Sequence, residues 1–374
     1  MTEKRNNILI IAGGPPRYTS VVKHINKLIR IFTSLSQKVS LLSSFDADLI
    51  NLNKDKIYTF HTAENQYSQF LKIQVQEPGI LYTIFKAQKI DIVFFALGHD
   101  LDMIPILFSK LMGKKVILRS DGRPSAIIEK YYNNQPIVKK YLFRIIEYID
   151  YRAVDLVVSE CNFMLKENDQ DHLSRCGVAN LPVDTKFFSR KTPLEKREYD
   201  VGYFGTLEKG KGLLPFIEAI KIIVRNNKNI SVIIGGNGDQ KGNISQFIRE
   251  NNLEQNVRIS DWIPGEVFPD YLNSVKLFVL PSSREGLPNT ILEAMACGTI
   301  VLSTPVGGVP GVVVDGKTGF IMENISVHCI IENIVRALNH PNLAWIADNA
   351  HTLIEQEYSF DSTLQRYREI LEKI

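Results

Sequence analysis

Cysteine is scarce in this sequence, and the four present (Cys161, Cys176, Cys297 and Cys329) stand far apart with no CxxC spacing. That excludes a zinc ribbon and a disulfide framework, and it fits a reducing compartment. No apolar run approaches the ~18 residues of a membrane-spanning helix. Residues 1–7 are polar and lead straight into ILIIA, without the apolar core of a signal peptide. The expected location is therefore the cytoplasm. No block of Arg and Lys with interleaved aromatics is present, so nucleic acid is not an expected partner. No acidic motif such as DxD stands at a strand end in a metal-ligating context, so no resident metal and no cofactor is expected.

What is present is an ordinary globular composition. With 374 residues, 44% of them hydrophobic and 23% charged, the chain is long enough for two domains and too apolar for disorder. The net charge of +3 hides an asymmetry: residues 1–190 hold 26 Lys+Arg against 19 Asp+Glu, net +7, and residues 191–374 hold 18 against 22, net −4. Either the first half meets an anionic partner, such as a phospholipid surface, or the difference is solvated surface.

Residues 7–12 form an apolar run that ends in Gly13-Gly14-Pro15-Pro16, and residues 18–35 follow with apolar positions at helical spacing. Strand, glycine loop and helix are expected there. The glycine pair either lets a ligand approach the backbone or turns the chain tightly. KVSLLS (38–43), LKIQV (71–75), DIVFFAL (91–97), KKVILRS (114–120) and DLVVS (155–159) read as further strands, separated by helical stretches at 101–112 and 138–151. Strands alternating with helices predict a parallel sheet covered on both faces. The tyrosines at 131–132 and 141–151, beside Lys139, Lys140 and Arg144, mark a partly buried amphipathic helix or one facing a membrane.

The stretch 189–199 (SRKTPLEKREY) is polar, and the linker is expected there. The alternation then restarts with DVGYFG, NISVIIGG, NVRIS, KLFVLP and TIVLST, which predicts a second doubly wound domain over 191–357. Residues 358–374 form a last helix, with Leu364, Tyr367, Ile370 and Leu371 on one side, expected to pack back on the N-terminal domain of residues 1–190.

Chemistry concentrates in residues 276–320. A strand leads into a polar loop holding Glu285, Pro288 stands where a helix starts, and Gly298 closes that helix. The backbone N–H groups around Pro288, Asn289 and Thr290, at the positive end of a helix dipole, make an anion site suited to phosphate. Glu285 and Glu293 flank it and are suited to accept hydrogen bonds from sugar hydroxyls. IIGGNGD (233–239) does not have the GxGxxG spacing of a dinucleotide fingerprint.

REGLPNTILEAMACG (284–298), with its Glu-x7-Glu pair, resembles the retaining glycosyltransferases of GT-B fold, glycosyltransferase family 4 in the group 1 class. VGYFGTLEKGKG (201–212), IIGGNGD, LPVDTKFF (181–188) and PVGGVPGVVVDGKTGF (305–320) are similar to that family too. The resemblance implies two Rossmann-like domains facing across a cleft, the first holding the acceptor and the second the donor. It implies transfer of a hexose from a UDP- or GDP-sugar to a hydroxyl of a glycan or lipid-linked acceptor, with retention of configuration. By the same resemblance Glu285 contacts the donor sugar, Glu293 holds the ribose hydroxyls and Lys211 neutralises the diphosphate. Gly13, Gly14, Thr206, Gly238, Gly286, Leu287, Pro288, Asn289 and Thr290 complete the expected donor site.

Two departures stand out. Many members carry Gly-Arg where this chain has Gly205-Thr206, so Lys211 is left with more of the diphosphate charge. The family's catalytic histidine is replaced by Asp121 in RSDGR (119–123), and His99 in ALGHD (96–100) is the nearest histidine. Asp121 and His99 are thus the acceptor-side candidates, with Arg123 beside them. The rival readings are a nucleotide-sugar epimerase or hydrolase of the same fold and a non-catalytic nucleotide-sugar sensor. A peripheral contact of the first domain with the inner face of the membrane is the further expectation.

Overall fold

The structure is a computed structural model, and it describes residues 6–13, 19–60, 66–96, 102–120, 137–160 and 175–374. The chain divides into two compact units: residues 1–181 with 363–374, and residues 182–362.

The first unit is built on seven parallel strands: β1 (Asn7–Ala12), β2 (Lys38–Ser43), β3 (Ile57–Thr59), β4 (Ile92–Phe95), β5 (Lys115–Arg119), β6 (Leu156–Ser159) and β7 (Cys176–Val178). They lie in the order β3-β2-β1-β4-β5-β6-β7. The continuous apolar runs follow from burial on both faces: Ile8, Leu9, Ile10 and Ile11 of β1 are all buried. Helices α1 (Thr19–Leu35), α2 (Gln66–Ala87), α3 (Met103–Leu111) and α4 (Ile137–Ala153) connect the strands. LKIQV, expected as a strand, lies inside α2. Five residues of apolar alternation do not separate strand from helix, and here the longer helical segment wins, with β3 taking the sheet edge.

The second unit has six parallel strands in the order β10-β9-β8-β11-β12-β13. They are β8 (Tyr199–Phe204), β9 (Val232–Gly235), β10 (Val257–Ser260), β11 (Val275–Leu280), β12 (Ile300–Ser303) and β13 (Phe320–Ile321). Its helices are α5 (Leu213–Asn226), α6 (Lys241–Glu250), α7 (Phe268–Asn273), α8 (Asn289–Ala296), α9 (Val327–Leu338) and α10 (Leu343–Glu357). On α5 the residues Leu213, Phe216, Ile217, Ile220 and Val224 recur at helical spacing and are buried.

The division falls between Leu181 and Pro182, so the stretch 189–199 lies within the second unit. The physical reason is bonding. The N–H of Val183 donates to the carbonyl of Tyr358 at 2.8 Å, and that of Lys191 to Asn273 Oδ1 at 2.7 Å. Arg197 is buried and donates to the carbonyls of Leu272, Val275 and Cys297 at 3.3, 2.7 and 2.8 Å, and to Thr299 Oγ1 at 2.6 Å. The last helix, α11 (Phe360–Glu372), enters the first unit at Thr363. Its Tyr367 is fully buried, 5.4 Å from the ring of Phe32 and 6.4 Å from that of Phe94.

Both sheets reverse their order beside the first strand of the unit, at β1/β4 and at β8/β11. In such sheets ligands bind in the crevice beyond the carboxyl ends of the strands at the reversal.

Candidate active site

The loops that follow β8 and β11 meet at the reversal of the second sheet. Lys211, in the loop after β8, donates from Nζ to Oε1 of Glu285, in the loop after β11, at 2.8 Å. Glu285 has 13% and Lys211 27% of its side chain exposed, enough for a ligand to reach both. The two loops are tied further by Ser283, whose N–H and Oγ both donate to the carbonyl of Gly210 at 2.9 Å. Gly212 caps α5 with φ +68°, and a Cβ there would overlap the carbonyl oxygen of Pro281. A side chain at position 212 would push the Lys211 loop off the Glu285 loop.

Pro288 is the N-cap of α8 rather than its first-turn residue, with φ −65° and ψ 119°. The extended backbone of a residue leaving a loop sets that register, and proline has no side-chain oxygen to cap the first turn. Asn289 and Thr290 therefore open the helix at its positive end. Gly298 ends the motif as expected: at φ +65° its N–H donates to Met295 and that of Thr299 to Ala294, the paired bonds of a Schellman cap. Glu293 lies in the second turn and is partly exposed, while Leu287 is buried. Burial, reinforced by Glu293 and opposed by Arg197, pushes the Cys297 thiol up to about 12, which makes it an inert packing group.

The loops after β8 and β9 run together. The N–H of Leu207 donates to the carbonyl of Asn237 and that of Gln240 to the carbonyl of Leu207, both at 2.9 Å. Gly238 sits in this contact, where a Cβ would overlap the backbone of Leu207. Thr206 is exposed, and its carbonyl accepts from the Tyr203 hydroxyl at 2.9 Å. Burial, with the nearby Glu285 and Glu208 carboxylates, pushes that hydroxyl above its ordinary range, so it remains a donor.

Gly307 and Gly308, not among the residues expected from the sequence, back the Glu285 loop. The N–H of Gly308 donates to the carbonyl of Gly286 at 2.7 Å, and Gly307, at φ +54°, leaves no room for a Cβ beside the carbonyl oxygen of Glu285. Two adjacent glycines two residues beyond the strand TIVLST were the available signal. In the first unit, Gly13 is buried at the carboxyl end of β1. Gly14, His99, Asp121 and Arg123 lie outside the described residues.

Residues 184–357 match the family described as Glycosyl transferases group 1. That match lies within the second unit, residues 182–362. The chain is 32% identical over 165 residues to the capsular polysaccharide biosynthesis glycosyltransferase CapM of Staphylococcus aureus, covering 42% of this chain and 42% of that protein. To the alpha-D-kanosaminyltransferase of Streptomyces kanamyceticus it is 29% identical over 173 residues, 45% of each. The chain thus matches less than half the length of these curated relatives. Among solved structures, Anabaena Alr3699/HepE in complex with UDP superposes with a TM-score of 0.76 at 17% identity, over 98% of this chain and 100% of that one. Sucrose-phosphate synthase of Thermosynechococcus elongatus gives 0.77 at 14% identity, over 99% and 100%. The fold is therefore GT-B, as expected from the sequence.

Proposed function

We propose that this chain is a glycosyltransferase that moves a hexose from a UDP- or GDP-sugar to a hydroxyl of a glycan or lipid-linked acceptor, with retention at the anomeric carbon. The single observation behind this reading is the Lys211–Glu285 pair at the reversal of the second sheet, beside the start of α8. The acceptor oxygen bonds to the anomeric carbon while the bond from that carbon to the diphosphate oxygen breaks. The diphosphate leaves with the electron pair, and the acceptor proton passes to a diphosphate oxygen on the same face. Lys211 and the N–H groups of Asn289 and Thr290 balance the growing negative charge, without a metal. Glu285 accepts from hydroxyls of the donor sugar, Glu293 from those of the ribose, and the Gly286–Pro288 backbone shapes the wall. Gly13 and Gly14 let the backbone approach the donor diphosphate, and Asp121 or His99 serves the acceptor side.

The relatives named above support transfer rather than hydrolysis, epimerisation or sensing. The test is a screen of UDP- and GDP-sugars with glycan and lipid-linked acceptors, in the presence of EDTA. Nucleoside diphosphate should appear only with an acceptor, together with a product of retained configuration. Release of free sugar without acceptor, binding without turnover, or activity lost in EDTA and restored by Mg²⁺ would each overturn a named part of this reading.

A further inference from the structure

Helices α2, α3 and α4 pack side by side in the first unit, and their outward surface has an unusual division of residues. The three helices carry three carboxylates, Glu77, Glu147 and Asp150, and all three are buried. The outward positions of α4 are held instead by Tyr141, Leu142, Ile145 and Tyr148, which are 51–60% exposed. Leu111, at the end of α3, is 86% exposed, with Leu107 and Ile104 one and two turns before it also open to solvent. The exposed charges on the three helices are cationic: Lys86, Arg144 and Arg152, the last with its guanidinium 5.0 Å over the ring of Tyr148. Lys139 and Lys140 add two more cations to the sequence of α4.

We infer that this face is a docking surface for an anionic phospholipid bilayer. The apolar and aromatic side chains enter the headgroup boundary, and the flanking cations meet lipid phosphates. Charge decides against a second copy of the chain as the occupant. A symmetric contact through this face would bring Arg144 and Arg152 toward their own counterparts, with no exposed carboxylate on these helices to pair with them. An anionic lipid surface has the complementary charge. Each basic side chain held there is worth about a fivefold gain in partition.

The test is flotation of the full chain with vesicles of phosphatidylglycerol and phosphatidylcholine, against vesicles of phosphatidylcholine alone. The protein should float with the anionic vesicles at low salt and be released at about 1 M salt, where the Debye length falls to about 3 Å. Ile145→Ser/Tyr148→Ser should lower the partition at least about tenfold, from lost apolar insertion. Arg144→Gln/Arg152→Gln should lower it about 25-fold on the anionic vesicles and leave the zwitterionic result unchanged. Circular dichroism melting of these exposed-site variants should match that of the parent. A parent chain that stays with the lipid-free fraction at low salt overturns the inference, as does partition unaffected by both double substitutions. A dimer by light scattering that dissociates in Ile145→Ser/Tyr148→Ser would instead assign the face to a second copy.

Discussion

At the scale of single residues, Lys211 and Glu285 satisfy one another, and the diphosphate of the proposed donor would compete for the ammonium group. Because charge on the leaving diphosphate grows as the glycosidic bond breaks, Lys211→Ala should lower kcat by about a hundredfold while changing donor affinity much less. Steady-state kinetics beside calorimetric titration of the nucleotide separate the two, and an equal loss in both would remove the transition-state role. Glu293 makes a different demand. A carboxylate that accepts from ribose hydroxyls is used equally before and during transfer, so Glu293→Ala should weaken UDP or GDP binding by about 1.5–3 kcal/mol. Unchanged affinity for both nucleotides would take Glu293 out of the donor site.

Between elements, the second sheet is braced by Asp200. Its Oδ1 accepts from Lys276 Nζ of β11 at 2.8 Å, and its Oδ2 from the N–H and Oγ of Ser231, just before β9, at 3.0 and 3.1 Å. Burial alone would raise its pKa, but the bonds to Lys276 and Ser231 outweigh burial and hold the carboxyl below its ordinary value. A carboxyl whose folded pKa lies below its unfolded value, about 3.9, adds stability above that pH and loses it as pH falls through the folded pKa. Asp200→Asn should therefore be less stable than the parent at neutral pH, and the difference should shrink below about pH 4. Urea midpoints measured at both pH values check this, and a gap that persists in acid would assign the loss to packing. Arg197 ties elements in another way, as a buried cation held by carbonyl oxygens at the ends of α7 and α8. Those helix ends carry the partial negative charge that replaces a carboxylate partner.

For the whole molecule, the decisive feature is the return of the chain to its first unit at Thr363. The Tyr367 hydroxyl accepts from Arg119 at 3.0 Å, and Arg119 is paired on its other side with Glu160. Ile370 packs on Gly177 of the edge strand β7, where a Cβ would stand 3.1 Å from its side chain. Tyr367→Ala opens a cavity among Phe32 and Phe94 and removes an acceptor from a buried guanidinium, which should cost about 3–5 kcal/mol. Hydrogen exchange should accelerate in β1 and β4 and stay unchanged in β8 and β11. Equal acceleration in both sheets would show that the units unfold as one.

The sequence by itself determined what local chemistry controls. Buried strands show as continuous apolar runs, helices as 3.6-residue periods, and α8 as the span between Pro288 and Gly298, because caps and periods are set by neighbours within a few residues. The group of residues around Glu285 was legible for the same reason. Tertiary structure alone decided that LKIQV is helical, since its own alternation fits either element and only the surrounding segment chooses. It also decided which loops meet: Lys211 and Glu285 are 74 residues apart, and Gly307 finds the Glu285 carbonyl only after β12 has paired with β11. Exposure was beyond sequence reading too. Whether the apolar side of α4 faces the core or the solvent depends on which face its neighbours cover, and here the helix buries Glu147 and Asp150 and leaves Ile145 and Tyr148 outside.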